Sequence, residues 1–146
     1  MDTLPTVRVG SELSVEELYS LLCLRVGVFV VEQHIAYPDL DGLDLLPSTH
    51  HLWLMDGAEV VSCLRVSTEG HERRIGRVCT KREHRRKGLS RVLVSAAVAA
   101  FGDRPLVLDA QSYVVDFYRE FDFAVSGPVF LDDGTPHSPM RRHVVG

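Results

Sequence analysis

The chain has 146 residues, 45% of them hydrophobic, and a formal net charge of −4 at pH 7. This length predicts one domain, residues 1–146, with a single core, and the acidic balance argues against a surface built for nucleic acid. No segment approaches the roughly 18 unbroken apolar residues of a membrane span, and the N-terminus "MDTLPTVRVG" lacks the pattern of a signal peptide.

The three cysteines, Cys23, Cys63 and Cys79, are odd in number and widely spaced. This usage is typical of reduced thiols in a cytoplasmic protein and not of a disulfide framework. Seven histidines are present, but the sequence has no CxxC, no HExxH and no helical histidine pair four residues apart. We therefore expect a cytoplasmic protein without a metal site and without nucleic-acid or membrane partners.

The first half of the chain predicts a helix, a loop and a hairpin, in that order. Ser14 and Glu17 have capping-box spacing at the start of an apolar helical stripe that reaches Phe29. Residues 35–48, rich in Asp, Pro and Gly, are expected to form an exposed loop. Two β-type runs on either side of Asp56-Gly57 predict a hairpin.

The second half alternates strands with helices, which favours an α/β class with a mixed sheet. "RRIGRVCT" and "LVLDAQ" read as strands, and each is followed by a helical pattern, the second ending near Asp122. "FAVSGPVFL" and "HSPMRRHVV" predict a closing hairpin around residues 132–134.

The basic segment "EHRRKGLS" joins the first of these strands to its helix. A helix N-terminus exposes unpaired N–H groups and a partial positive charge, so residues 87–91 are expected to bind phosphate where Gly88 and Ser90 leave room. GxxxxGK[ST] and GxGxxG are both absent. On charge alone, a solvated basic face is the alternative. The basic residues that would raise the local potential are Lys81, Arg82, Arg85, Arg86, Lys87 and Arg91.

Arg85-x-x-Gly88-x-Ser90, between a strand and a helix, resembles the R/Q-x-x-G-x-G/A motif of the GNAT (Gcn5-related N-acetyltransferase) superfamily. The chain departs from the family pattern at Arg86, Ser90 and Asp122. Nearly the whole chain is similar to the ElaA-like branch, through the ordered segments "LRVGVFVVEQ", "YPDLDGLD", "HHLWL", "IGRVCT", "LDAQ", "FYREFDF" and "DGTPHSPM".

The resemblance implies a GNAT fold and an acetyltransferase. The expected fold is a mixed, mostly antiparallel sheet of about six to seven strands flanked by helices, with a CoA cleft at splayed central parallel strands. The implied cosubstrate is acetyl-CoA, with no metal, and the acetyl group moves directly, in a ternary complex, to a primary amine of a small molecule or peptide. A monomer and a homodimer are both compatible with the sequence.

The resemblance also assigns roles to residues. It assigns the general acid to Tyr118, for which a purely structural role in the core is the alternative. It assigns carbonyl polarisation and pantetheine binding to backbone groups of Val78, Cys79 and Thr80. Pyrophosphate binding falls to the turn that contains Arg85, Arg86, Lys87, Gly88, Leu89, Ser90 and Arg91.

The general base is not fixed by the resemblance. Glu32 is a candidate for catalysis and for substrate binding, and a solvated position at the end of the first helix is the alternative. His50 and His51 are candidates for substrate binding, and a role in the core or on the hairpin face is the alternative. A base acting through water is equally open. An acyl-enzyme on Cys79 is disfavoured, because a small buried cysteine in a strand is common and no partner base is visible.

The acidic loop leaves two interpretations open. Asp39, Asp41 and Asp44 attract a cationic amine or serve only as turn residues, and Arg25 and Arg65 are expected to pair with one of them.

Two other functions remain as alternatives. One is a non-catalytic module that senses acyl-CoA. The other is an enzyme like the acyl-homoserine-lactone synthases, suggested by the pattern of Arg25, Phe29, Asp41, Asp44 and Arg65.

Overall fold

A computed structural model describes residues 3–144, which form one eight-stranded sheet with helices on both faces. The strands are β1 (Thr6–Val9), β2 (His50–Asp56), β3 (Glu59–Glu69), β4 (Glu72–Thr80), β5 (Leu106–Gln111), β6 (Ala124–Val125), β7 (Phe130–Asp132) and β8 (Thr135–Arg142). Their order is β1-β2-β3-β4-β5-β8-β6, with β7 also paired to β8. Only β4 and β5 are parallel, so the predicted mixed, mostly antiparallel class is confirmed, with more strands than expected.

The helices are α1 (Val15–Val26), α2 (Leu89–Phe101) and α3 (Val115–Arg119), and a π-helical segment (Gly27–Glu32) continues α1. The predicted capping box is present, since the Glu17 N–H donates to Ser14 Oγ at 3.0 Å and the Ser14 N–H donates to Glu17 Oε1 at 2.9 Å. The change to π geometry after Val26 was not predicted. Within residues 3–144, none of the helices has the length and hydropathy needed to cross a bilayer.

The two faces of the sheet bury separate apolar clusters. Helices α2 and α3 cover one face, which we call the α2 face, where Leu93 and Tyr118 pack with Leu108 and Met140. Helix α1 covers the opposite face, the α1 face, with a cluster that contains Leu21, Leu24, Val28, Trp53, Val60, Cys63 and Cys79. Burial of these side chains is the main driving force for the fold.

An ion-pair cluster fixes the loop before β2 to the α1 face. Arg25 is 1% exposed and donates to Asp44 at 2.7 Å, with its Nε 3.1 Å from Asp39. Arg65 donates to Asp44 at 3.0 Å and also to Asp41. The expected pairing of Arg25 and Arg65 with the acidic loop is thus confirmed. The expectation that the whole loop is exposed was wrong, because two of its own residues, Asp39 and Asp44, are buried.

Strand β4 contains a bulge that separates it from β5. Arg65 of β3 lies opposite Gly76, whereas Cys63 lies opposite Cys79, so β4 has one extra residue in this interval. Arg77 within the bulge has φ 54°. Residues of β4 pair with β5 only at Arg73 and Arg74. The parallel strands then diverge, which confirms the predicted splay.

The last strands close the sheet beside β5. The turn between β7 and β8 contains Asp133 with φ 49° and Gly134 with φ 78°, which matches the predicted hairpin. Its first arm is split into β6 and β7 around Gly127-Pro128. Strand β8 lies next to β5 and pairs with it from Leu106 to Gln111.

Replacement of Arg25 by alanine should destabilise the fold strongly. The substitution leaves Asp39 and Asp44 as buried carboxylates without one of their cations, so the free energy of unfolding should fall by about 3–5 kcal/mol. Chemical denaturation at pH 7 measures this loss. Arg119→Ala is the control, since its pair with Asp116 is exposed and is worth about 0–1 kcal/mol. Equal, small losses in both variants would contradict a structural role for the cluster.

Candidate active site

A cleft of about 1120 Å³ occupies the gap between β4 and β5. One side of it includes Ser90 and Tyr118 on the α2 face, and the other side includes Tyr37 and His137 on the α1 face. Past Arg74, the edge of β4 that faces the cleft has no pairing with β5 in the described chain. Its backbone groups are therefore available to an extended ligand, much as they would be to another strand.

The first turn of α2 forms one end of the cleft. Gly88 precedes the helix with φ 75° and without a side-chain cap, so the first N–H groups of the helix are left to a ligand or to water. A Cβ on Gly88 would meet nothing within 4 Å. Glycine is therefore favoured here by its backbone conformation and not by lack of space. Arg86, which departs from the family pattern, also has positive φ, at 64°.

A chain of three hydroxyl groups connects this turn to the end of β4. The oxygens of Ser62 and Thr80 are 2.8 Å apart, and those of Thr80 and Ser90 are 2.9 Å apart. The Ser90 side chain thus points toward the strand. This orientation leaves the axis of α2 unobstructed for an anion at its N-terminus.

Surface carboxylates already pair with half of the six basic residues around this turn. Lys81 pairs with Glu59, Arg85 with Glu32 and Arg91 with Glu120. In residues 3–144, Arg82, Arg86 and Lys87 have no carboxylate within ion-pair distance. Of these three, only Arg86 lines the cleft. Arg86 is thus the least neutralised cation beside the open amides.

The carboxylate of Glu32 forms a salt bridge with Arg85. Both of its oxygens accept hydrogen bonds from the guanidinium, at 2.5 and 2.6 Å, and Arg85 Nε also donates to the Thr80 carbonyl at 3.0 Å. The hydrogen bonds from Arg85 lower the pKa of Glu32, against the opposing effect of burial. A carboxylate with a lowered pKa is a poor proton acceptor. The two hydrogen bonds instead fix the position of the Arg85 guanidinium.

Tyr118 packs in the α2-face cluster and also lines the cleft. Its ring makes edge contacts with Phe117 at 5.1 Å and Phe123 at 6.0 Å between centroids. Burial raises the pKa of its phenol to about 12. The hydroxyl therefore keeps its proton at neutral pH and remains a donor.

The two adjacent histidines lie away from the cleft. The ring of His51 is buried, with Nε2 2.8 Å from the Asp44 carbonyl oxygen, and the ring of His50 packs against Phe101 at 4.7 Å. Burial lowers the pKa of both. Strand β3 separates their strand from β4, so neither is brought together with the other candidate residues.

Cys79 faces Cys63 across the β3–β4 pair, with the two sulfurs 3.7 Å apart. The contact with Cys63 and burial both raise the pKa of the Cys79 thiol. A thiol that resists ionisation is a weak nucleophile. This environment disfavours an acyl-enzyme on Cys79.

Sequence reasoning gave no role to Tyr37, Arg77 or His137, which lie on the α1 face of the cleft. The guanidinium carbon of Arg77 lies 5.0 Å from the centre of the Tyr37 ring, and Phe29 packs against Tyr37 at 5.8 Å. On the same face, on the β8 side of the gap, His137 Nδ1 lies 2.8 Å from the Thr135 carbonyl oxygen. "DGTPHSPM" contains His137, but the direction of its side chain depends on strand register, which local pattern does not give.

No group of three or more His, Cys, Asp or Glu side chains among residues 3–144 is arranged to hold a metal ion.

Known proteins provide an independent comparison. The family model "Acetyltransferase (GNAT) domain" matches residues 37–144. UPF0039 protein Rv2851c of Mycobacterium tuberculosis is 51% identical over 139 residues, which cover 91% of this chain and 88% of that protein. A crystal structure of an acyl-CoA N-acyltransferase from Pseudomonas aeruginosa is 36% identical, with a TM-score of 0.89 and coverage of 95% and 98%. The crystal structure of Escherichia coli ElaA is 34% identical, with a TM-score of 0.88 and coverage of 96% and 99%.

Proposed function

The chain belongs to the GNAT acyltransferase family, with ElaA among its relatives, and from that premise we propose that it transfers an acetyl group from acetyl-CoA to a primary amine. The observation that carries the proposal is the convergence of three features in one cleft. These are the uncapped amides after Gly88, the unpaired edge of β4 and the protonated hydroxyl of Tyr118.

The residues present fit the donor, acetyl-CoA. The amides of residues 89–91 and the Arg86 guanidinium suit its pyrophosphate, because both are donors that favour negative charge. The edge of β4 around Val78, Cys79 and Thr80 suits the amides of pantetheine, and a backbone N–H there would polarise the thioester carbonyl. Glu32 keeps Arg85 in place beside this edge.

The chemistry needs few groups. The amine nitrogen attacks the thioester carbon and forms the C–N bond, the C–S bond breaks, and Tyr118 gives its proton to the thiolate sulfur. Transfer is direct, because Cys79 is held as a thiol. Preorganised donors matter most where charge develops, first on the carbonyl oxygen and then on sulfur.

The two alternative functions make different demands on the site. A module that only senses acyl-CoA has no need of a proton-donating hydroxyl in the cleft. A lactone-synthase-like site needs substrate contacts from the Arg and Asp residues of the ion-pair cluster. Arg25, Arg65, Asp41 and Asp44 already contact one another, which favours a structural role.

An assay of thiol release against a panel of amines, amino acids and peptides tests the proposed activity. We expect acetyl-CoA to be consumed with at least one class of primary amine, and mass spectrometry should find one acetyl group added to that amine. The chain in the absence of an amine serves as the control for hydrolysis. Tight binding of acetyl-CoA without transfer to any amine would instead support the sensing module.

Gly88→Glu should abolish acetyl-CoA binding measured by calorimetry. The substitution places a carboxylate in front of the helix amides and adds the strain of a side chain at φ 75°. Gly57→Glu is the matched control, because Gly57 also has positive φ and open space but lies in the β2–β3 turn. Unchanged affinity in the Gly88 variant would locate the cofactor elsewhere.

Tyr118→Phe should lower kcat by roughly 10²-fold or more, provided that chemistry limits turnover. The change removes only the hydroxyl, so the ring contacts and the affinity for acetyl-CoA should be retained. Measurements of kcat and melting temperature on the same variant separate an acid from a core residue. A destabilised variant with ordinary kcat would remove Tyr118 from the mechanism.

A further inference from the structure

We propose that His137 accepts the proton that the attacking amine must lose, through its Nε2 atom. This inference rests on the acyl transfer proposed above and assigns the group that Glu32, His50 and His51 do not supply. His137 is half-buried, belongs to β8 and lines the cleft.

The tautomer of His137 follows from one contact. Its Nδ1 lies 2.8 Å from the carbonyl oxygen of Thr135, and a carbonyl oxygen only accepts hydrogen bonds. Nδ1 therefore carries the proton of the neutral ring, and Nε2 keeps its lone pair. The ring is also stacked on Phe130, with 5.8 Å between centroids and 26° between planes. These two contacts orient a basic nitrogen without occupying it.

Strand register places His137 on the side of the cleft opposite to Tyr118. His137 lies directly across from Gln111 of β5, and residues that face each other across an antiparallel pair project from the same face of the sheet. Along β5, Gln111 alternates with Leu108 and Ala110, which pack on the α2 face with Tyr118. His137 thus projects from the α1 face. A thioester that lies in the gap would therefore have Tyr118, the acid, on the side of its sulfur. It would have His137, the base, on the side from which the amine attacks.

The other candidate bases of the cleft are engaged or exposed. Glu32 is bound by Arg85, Asp109 Oδ2 accepts from Arg74 at 3.0 Å, and His84 Nε2 contacts Asp56 at 2.8 Å. Asp132 is exposed at the hairpin and has no ion pair among the described residues. Its carboxylate suits attraction of a cationic amine better than removal of a proton, because an ordinary carboxyl group is a much weaker base than imidazole.

The proton balance is complete with these two side chains. The amine attacks in its neutral form, and as the C–N bond forms, one of its protons moves to His137 Nε2 and gives an imidazolium. As the C–S bond breaks, the Tyr118 hydroxyl gives its proton to sulfur and becomes a phenolate. After the acetylated amine and CoA leave, solvent returns both side chains to their starting forms.

His137→Asn separates this role from a structural one. The asparagine amide nitrogen takes nearly the place of Nδ1 and keeps a donor to the Thr135 carbonyl, but nothing replaces Nε2. We expect kcat to fall by about 10²–10⁴-fold, with unchanged affinity for acetyl-CoA and only a small fall in melting temperature from loss of the stack on Phe130. His71→Asn is the control, since His71 is exposed in the β3–β4 turn, and it should retain full activity.

Two further readouts distinguish a base from a packing residue. The loss in His137→Asn should persist with weakly basic amines, which are already neutral at the assay pH, because their nitrogen must still lose a proton as the C–N bond forms. Nitrogen NMR of the resting protein should find the His137 proton on Nδ1. Ordinary turnover of weakly basic amines by the variant, or a proton on Nε2, would each overturn the assignment. Failure of the wild-type chain to acetylate any amine would refute the proposed function, and the role of His137 with it.

Discussion

Strands β4 and β5 exchange hydrogen bonds at one end only, because β4 carries an extra residue in the bulge at Arg77. Two parallel strands that paired along their full length would bury their edges and leave no ligand site. The divergence opens the cleft and leaves the edge of β4 without a partner strand. It also allows residues from opposite faces of the sheet, such as Tyr118 and His137, to line the same space.

Ion pairs of Arg77 stabilise the backbone conformation of the bulge. A non-glycine residue with positive φ costs about 1–3 kcal/mol, and Arg77 has φ 54°. Its guanidinium lies 3.0 Å from Asp39 and 3.2 Å from Asp41, and it stacks on Tyr37. Asp39 is fixed in turn by Arg25 of α1. The same cluster that fixes the acidic loop therefore also supports the backbone geometry at the centre of the sheet.

Features with contiguous determinants could be predicted from the sequence. The capping box at Ser14, the hairpin at Asp56-Gly57 and the uncapped turn at Gly88 depend on residues a few positions apart. The rest depends on strand order and register, which local patterns do not encode. His50 was expected near the acceptor but belongs to a strand separated from the gap by β3, whereas His137 reaches the gap only because β8 lies beside β5.

The position of β8 has a consequence for the order in which the site forms during synthesis. The cleft wall near Gly88 comes from residues 74–91, which leave the ribosome well before β8 does. The wall that carries His137 comes from a strand that pairs with β5 and also supports β6 and β7. A nascent chain therefore releases the turn at Gly88 before β8, and the two halves of the cleft can meet only after Thr135–Arg142 has been synthesised.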